Sequence, residues 1–203
     1  MNILHLDSGI SGATSVSRQL SASIVSQLRR LAPGADVTYA DLATHPLPQL
    51  NAALMAARMP DAAEGDAGLR SDLAATGAAL AAFVAADVIV IGAPMYNFSI
   101  PSQLKTWIDS IAVAGVTFRY SAAGVEGLCA GKRVIVASAR GSVFTGASPF
   151  AALDHQENYL RAVFGFLGVT QIEVVRAEGV AYGPEPRQQA LDLALAEVGG
   201  LAA

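Results

Sequence analysis

Hydrophobic positions recur along this chain with two periods. Val88-Ile89-Val90-Ile91 and Arg133–Ser138 are short, largely β-branched runs, which predict strands buried on both faces at the centre of a parallel sheet. Asp36–Asp41 and Gln171–Ala177 alternate polar and apolar residues, the pattern of edge strands with one wet face, and Asn2–Asp7 is intermediate. Between these runs the spacing becomes helical. Leu20, Ile24, Leu28 and Leu31 share one face, as do Leu104, Trp107, Ile108 and Ile111, and again Leu153, Leu160, Phe164 and Leu167. Ser15 stands at an N-cap position, and Pro33-Gly34 stops the first helix. Pro101 opens the second helix, where a missing N–H costs least. Ser148-Pro149 caps and opens the third, Gly168 ends it, and a last helix is predicted over Glu185–Val198.

The crossover Leu47–Ala86 is long. It holds a Pro-rich entry, an Ala-rich piece near Asn51–Met59, a polar break at Pro60–Gly68 and a helix over Leu69–Ala86. Leu47–Gly68 reads either as a plain crossover or as a flap over a pocket. Gly115–Gly131 contains Thr117-Phe118-Arg119-Tyr120 and predicts a long loop or a small hairpin. Five strands separated by helices, with the second and fifth amphipathic, predict an α/β fold. Its sheet is parallel and doubly wound, of order 2-1-3-4-5, with helices on both faces. With no repeat and no linker, one domain over residues 1–203 is expected.

Composition narrows the function classes. Apolar residues make up 53% of the 203 positions against 15% charged, which excludes a disordered chain. No apolar run approaches the ~20 residues of a spanning helix. The N-terminus enters a strand at once, so no secretory leader is expected. A net charge of −4 without a basic run argues against nucleic acid or an anionic membrane as partner. The single Cys129 cannot form an internal disulfide, which suits a reducing cytoplasm, and the three scattered histidines give no expectation of a metal site.

In the predicted strand order, the loops after strands one, three and four meet at one end of the sheet, where open α/β sheets bind ligands. Loop one, Ser8–Arg18, brings hydroxyls to a helix N-terminus, which attracts an anion such as phosphate. Ser15 and Ser17 could donate to it with Arg18 at the rim, or Ser15 could simply cap its helix. The loop has Gly9 and Gly12 only, so it is neither the G-x-G-x-x-G fingerprint nor a P-loop. Loop three, Pro94–Ser99, offers Met95, Tyr96, Asn97 and Phe98, which suit a flat aromatic ligand or a plug for a core or interface. Loop four, Ala139-Arg140-Gly141-Ser142, has a glycine where backbone must approach something closely, or is an ordinary turn. A phosphate-ready loop beside two loops suited to a flat ring points to flavin mononucleotide, FMN.

The residues Pro94-Met95-Tyr96-Asn97-Phe98-Ser99-Ile100-Pro101-Ser102-Gln103-Leu104-Lys105, continuing through Trp107-Ile108-Asp109, closely resemble the signature of FMN-dependent NADH-azoreductases, also described as FMN-dependent NADH:quinone oxidoreductases. Leu4–Ser8, Ser15–Leu20, Ala114–Tyr120 and Gly127–Lys132 are similar to the same family, so the likeness runs over nearly the whole chain. The resemblance implies a flavodoxin-like homodimer that moves hydride from NADH or NADPH to FMN and on to a quinone or azo compound. It implies that Ser15, Val16 and Ser17 hold the phosphate. Met95, Tyr96, Asn97 and Phe98 would embrace the ring and ribityl chain, with Ala139, Arg140, Gly141 and Ser142 on the ring's other side. Phe118, with Phe98, would wall the acceptor pocket, Phe118 from across the dimer interface, or would pack as an ordinary hairpin aromatic. Two departures stand out: Gly9 where relatives usually carry Ser, and Ala139 and Ser142 where Ser and Gly are common. The chemistry would belong to the flavin, so no catalytic side chain is expected. The rivals are an FMN electron carrier that takes no hydride from NADH, a flavin-free NAD(P)H reductase, and a receiver-type interaction module.

Overall fold

The computed structural model describes residues 1–59 and 65–202. Five strands form one parallel sheet: β1 (Asn2–Asp7), β2 (Asp36–Asp41), β3 (Val88–Pro94), β6 (Arg133–Ala139) and β7 (Gln171–Ala177), in the order β2-β1-β3-β6-β7. These are the five strands expected from the sequence, in the expected order. The segment Gly115–Gly131 folds into a separate antiparallel hairpin, β4 (Phe118–Ser121) and β5 (Gly124–Gly127). The helices are α1 (Val16–Leu31), α2 (Ala52–Ala57), α3 (Ala67–Ala85), α4 (Ser102–Ile111), α5 (Glu157–Phe166) and α6 (Pro184–Val198).

Alternation along the strands divides the core in two, because successive side chains point to opposite faces. Leu4, Leu6, Ile89, Ile91, Val134 and Val136 pack with Phe83 of α3, with the Leu104, Trp107, Ile108 and Ile111 stripe of α4, and with Leu160 and Phe164 of α5. Ile3, Val88, Val90, Ile135, Ala137 and Val175 pack with Leu20, Ile24 and Leu28 of α1 and with Leu191, Ala194 and Val198 of α6. β3 and β6 are buried at every position, as continuous apolar central strands must be. The register sets Asp7 opposite Gly92 and Pro94 opposite Ala139, so the carboxyl ends of the central strands finish at one rim. Gly92 has a steric reason: a Cβ there would lie 2.3 Å from Asp7 Oδ1.

Several expected boundaries move. Ser148-Pro149 does not open a helix. The Ser148 hydroxyl donates to Val143 O (2.7 Å) and accepts from Phe150 N (3.1 Å), which closes a turn. Only one 3₁₀ turn, Ala151–Leu153, follows, with Leu153 exposed, and α5 begins at Glu157. Asp154 supplies the start signal by accepting from the Gln156 and Glu157 amides (3.1 and 3.0 Å). Leu31, the last residue of α1, is exposed and does not join the buried stripe of Leu20, Ile24 and Leu28. Pro101 is the N-cap of α4 and not its first helical residue. In the long crossover, Asn51 caps α2 and Leu54 is buried; of the polar break, residues 60–64 lie outside the described residues. Among the described residues no helix is long and apolar enough to cross a membrane.

Candidate functional site

Loop one leaves β1 along the edge of β3. The Ser8 amide and hydroxyl both donate to Gly92 O, at 3.1 and 2.7 Å. The chain then turns into α1, whose first turn presents unsatisfied N–H groups outward. Ser15 is the N-cap, but its contact with Arg18 N is long, at 3.5 Å, and its hydroxyl instead shares a 3.0 Å bond with the Ser17 hydroxyl. Gly9 makes that pairing possible, since a Cβ there would sit 2.6 Å from Ser15 Oγ.

The Arg18 guanidinium turns away from these hydroxyls. Its Nε donates to Gly9 O (2.9 Å) and its terminal nitrogens to Asp41 (2.8 and 2.6 Å). Arg18 holds the Asp41 carboxyl down to about 2 from the usual 3.8, helped by the Ala43 and Thr44 amides. Behind this pair, Asp7 accepts from Ser21 Oγ (2.7 Å) and Tyr39 OH (3.1 Å); burial and the Asp7 charge push the Tyr39 phenol up. The whole cluster clamps the base of loop one.

Loop three is strained. Asn97 and Phe98 have φ of 49° and 71°, and the Tyr96 and Ser99 amides exchange hydrogen bonds with each other's carbonyls at 2.9 and 3.0 Å. A two-residue turn with both central φ positive ordinarily carries Asn-Gly. A phenylalanine in the glycine's place costs on the order of 1–3 kcal/mol and persists only where its surroundings enforce it. Here the His155 amide donates to Phe98 O (3.0 Å), and the half-exposed Phe98 ring meets Phe144 edge-on with centroids 6.3 Å apart. Tyr96 OH accepts from the Ile10 amide (3.1 Å), joining loop three to loop one.

Loop four is fixed from beneath. The Arg140 side chain is fully buried and does not enter the rim. It pairs with Asp154 (2.8 Å), Glu157 and Glu178 (3.2 Å), and its Nε donates to Gln156 Oε1 (3.0 Å). Gln156 Nε2 in turn donates to Ala93 O (2.7 Å), at the end of β3. Glu178 accepts from the Phe144 amide (2.8 Å), and Arg176 adds a second cation on Glu157 (2.7 Å). Met95 N donates to Ala139 O (2.8 Å), so loops three and four are also stitched by backbone.

These three loops enclose a cleft of about 440 Å³, within the usual range for small-ligand pockets. Ser15, Val16, Met95, Tyr96, Ala139 and Gly141 line it. Asn97 lines a neighbouring hollow of about 670 Å³ on the far side of Tyr96, beside Lys105 and Tyr159. Gly9, Ser17, Phe98, Arg140 and Ser142 stand behind or beside these walls and line neither. Phe118 lies apart from both, against Phe166 (4.7 Å between centroids) and Tyr120 (5.5 Å) of its own chain. Sequence reasoning missed Val180 and Arg187, which complete the cleft from the segment after β7. The rule placing ligands at strand carboxyl ends applies to that segment too, and it was the available signal.

Residues 1–201 match a family described as having a flavodoxin-like fold. The chain is 53% identical over 203 residues to an FMN-dependent NADH:quinone oxidoreductase of Bradyrhizobium sp. (strain BTAi1), covering 100% of both chains. It is 51% identical over 191 residues to one of Methylocella silvestris, covering 94% of each. Among solved structures, an FMN-dependent NADH-azoreductase from Bacillus anthracis in complex with FMN is similar with a TM-score of 0.87. That likeness is at 26% identity and covers 100% of this chain and 99% of that one.

Two outcomes follow from the clamps. Arg140→Met leaves Asp154, Glu157 and Glu178 without their buried cation and lowers stability by about 3–5 kcal/mol, read as a lower urea midpoint with an unchanged m-value. A loss below about 1 kcal/mol would show that the network does not hold the rim. Asp41 is depressed in the fold, so its contribution is complete above its ordinary value and disappears as pH falls from 3.8 towards about 2. Asp41→Asn removes about 1–2 kcal/mol at neutral pH and flattens that acid-induced loss in a denaturation series against pH.

Proposed function

The chain belongs to the flavodoxin-like family of FMN-dependent NADH:quinone oxidoreductases, and from that premise we propose that it binds FMN in the three-loop cleft and carries two electrons from NADH to quinones and azo compounds. The observation that carries this reading is the meeting of Ser15, Tyr96 and Gly141, from three separate loops, around one cleft.

The residues fit the group. The first turn of α1, with the Ser15 and Ser17 hydroxyls and the Val16 amide, would hold a phosphate, and Gly9 leaves those hydroxyls free to turn. Met95, Tyr96, Asn97 and Phe98 would flank the ring and ribityl chain, with Ala139, Gly141 and Ser142 opposite. Arg140 contributes its backbone, while its side chain fixes the loop. When bound, FMN supplies the ability to accept a hydride and release it, which no side chain of this chain has. The protein's part is to orient the ring edge with loop three, to exclude water behind Tyr96 and Phe144, and to leave one open face for donor and acceptor in turn. No catalytic side chain is assigned.

We further read residues 1–203 as one domain acting in the cytoplasm, supported by the unpaired, buried Cys129. A homodimer is supported by α3, which carries no charged residue from Leu73 to Ala85 while only its Thr76 and Phe83 are buried, and by the exposed Met55 of α2 and Val84 of α3. Phe118 and the exposed Tyr120 would then reach the acceptor pocket of the second copy.

Anaerobic mixing of the FMN-loaded protein with NADH is expected to bleach the flavin absorbance, and a quinone or azo dye then restores it. Binding of FMN without bleaching would reduce the protein to an electron carrier, and failure to bind FMN would end the proposal.

A further inference from the structure

Two arginines approach loop one, and they are used differently. Arg18 is neutralised by Asp41 and lies 3.7 Å from Asp7. Arg187, in the first turns of α6, donates to Thr14 O, two residues ahead of α1. It takes part in none of the ion pairs found among the described residues. It lines the same cleft as Ser15 and Val16, and no other described lining residue carries a charge. The first turn of α1 has no acidic residue either. A cation in a cleft without carboxylates, beside a helix N-terminus and a pair of hydroxyls, is electrostatically incomplete until an anion arrives. The chain reaches this arrangement because α6 packs along α1, which puts Arg187 at the mouth where the phosphate end of the ligand would lie.

We propose that Arg187 is a specificity-determining residue of the cleft: its guanidinium pairs with the phosphate dianion and makes the site select FMN over the unphosphorylated flavin. The inference rests on the FMN reading above and adds to it the origin of the phosphate preference. Arg187 takes no part in hydride transfer.

Equilibrium titration separates the two claims. Dissociation constants for FMN and for riboflavin are measured by flavin fluorescence on the wild type, Arg187→Gln and Arg187→Lys, each at low and high salt. Glutamine removes the charge and keeps an amide donor on a shorter side chain, and the riboflavin constant reports whether the brace on Thr14 is disturbed. Arg187→Gln is expected to raise the FMN constant about tenfold, the equivalent of one charge-assisted contact, and to leave the riboflavin constant within about twofold. It also flattens the salt dependence of FMN binding, and Arg187→Lys recovers most of the affinity. An unchanged FMN constant, or equal weakening of FMN and riboflavin, overturns the role and leaves Arg187 as a brace for Thr14. If the wild type binds no FMN, the functional reading fails first, and this inference fails with it.

Discussion

A single buried guanidinium holds the rim of this sheet together. Arg140 sits below the surface at the end of β6, where an unpaired charge would cost several kcal/mol, so its partners must come to it. They do: Asp154, Glu157 and Glu178 arrive from two different segments, and Gln156 links the cluster to Ala93 of β3. Two of these carboxylates, Asp154 and Glu178, also hold backbone. Asp154 starts α5, Glu178 receives the Phe144 amide, and the His155 amide between them reaches Phe98. Loops that would otherwise fray at the end of a parallel sheet are therefore fixed from below.

That rigidity makes the strain in loop three intelligible. A phenylalanine at φ 71° would relax in a free loop. It is kept because its carbonyl is tied to His155 and its ring rests on Phe144, both positioned by the Arg140 cluster. On the other side of the cleft, the Arg18–Asp41 clamp performs a similar service for loop one through Gly9 O. Both clamps keep their arginine out of the cleft. The walls between them are hydroxyls, amides, a thioether, a phenol and the Arg187 guanidinium, which is a site made for binding and orienting a cofactor and not for acid–base chemistry.

Much of the fold was legible because it follows from periodicity. Val88–Ile91 and Arg133–Ser138 read as central strands, Asp36–Asp41 and Gln171–Ala177 as edges, and their burial fixes the order. The α4 stripe at Leu104, Trp107, Ile108 and Ile111 was equally plain. What could not be read depends on contacts distant in sequence. The start of α5 depends on Asp154, whose side chain is fixed by Arg140 fourteen residues earlier. Ser148-Pro149 looks like a helix start locally and loses to that arrangement. Arg187 is 172 residues from Ser15, and only the packing of α6 on α1 joins them. For the cleft, loops one and three were visible as unusual compositions, whereas the withdrawal of Arg140 beneath its loop was not.

The central claim is that three loops, locked by two ion-pair clusters, form one cleft for a phosphorylated flat ring. A crystal structure of the protein grown with FMN tests it most directly. The phosphate is expected within hydrogen-bond distance of the Ser15 or Ser17 hydroxyl, and the ring between Met95–Phe98 and Ala139–Ser142. Density for the flavin on any other surface, with those loops unchanged and the cleft empty, would contradict it.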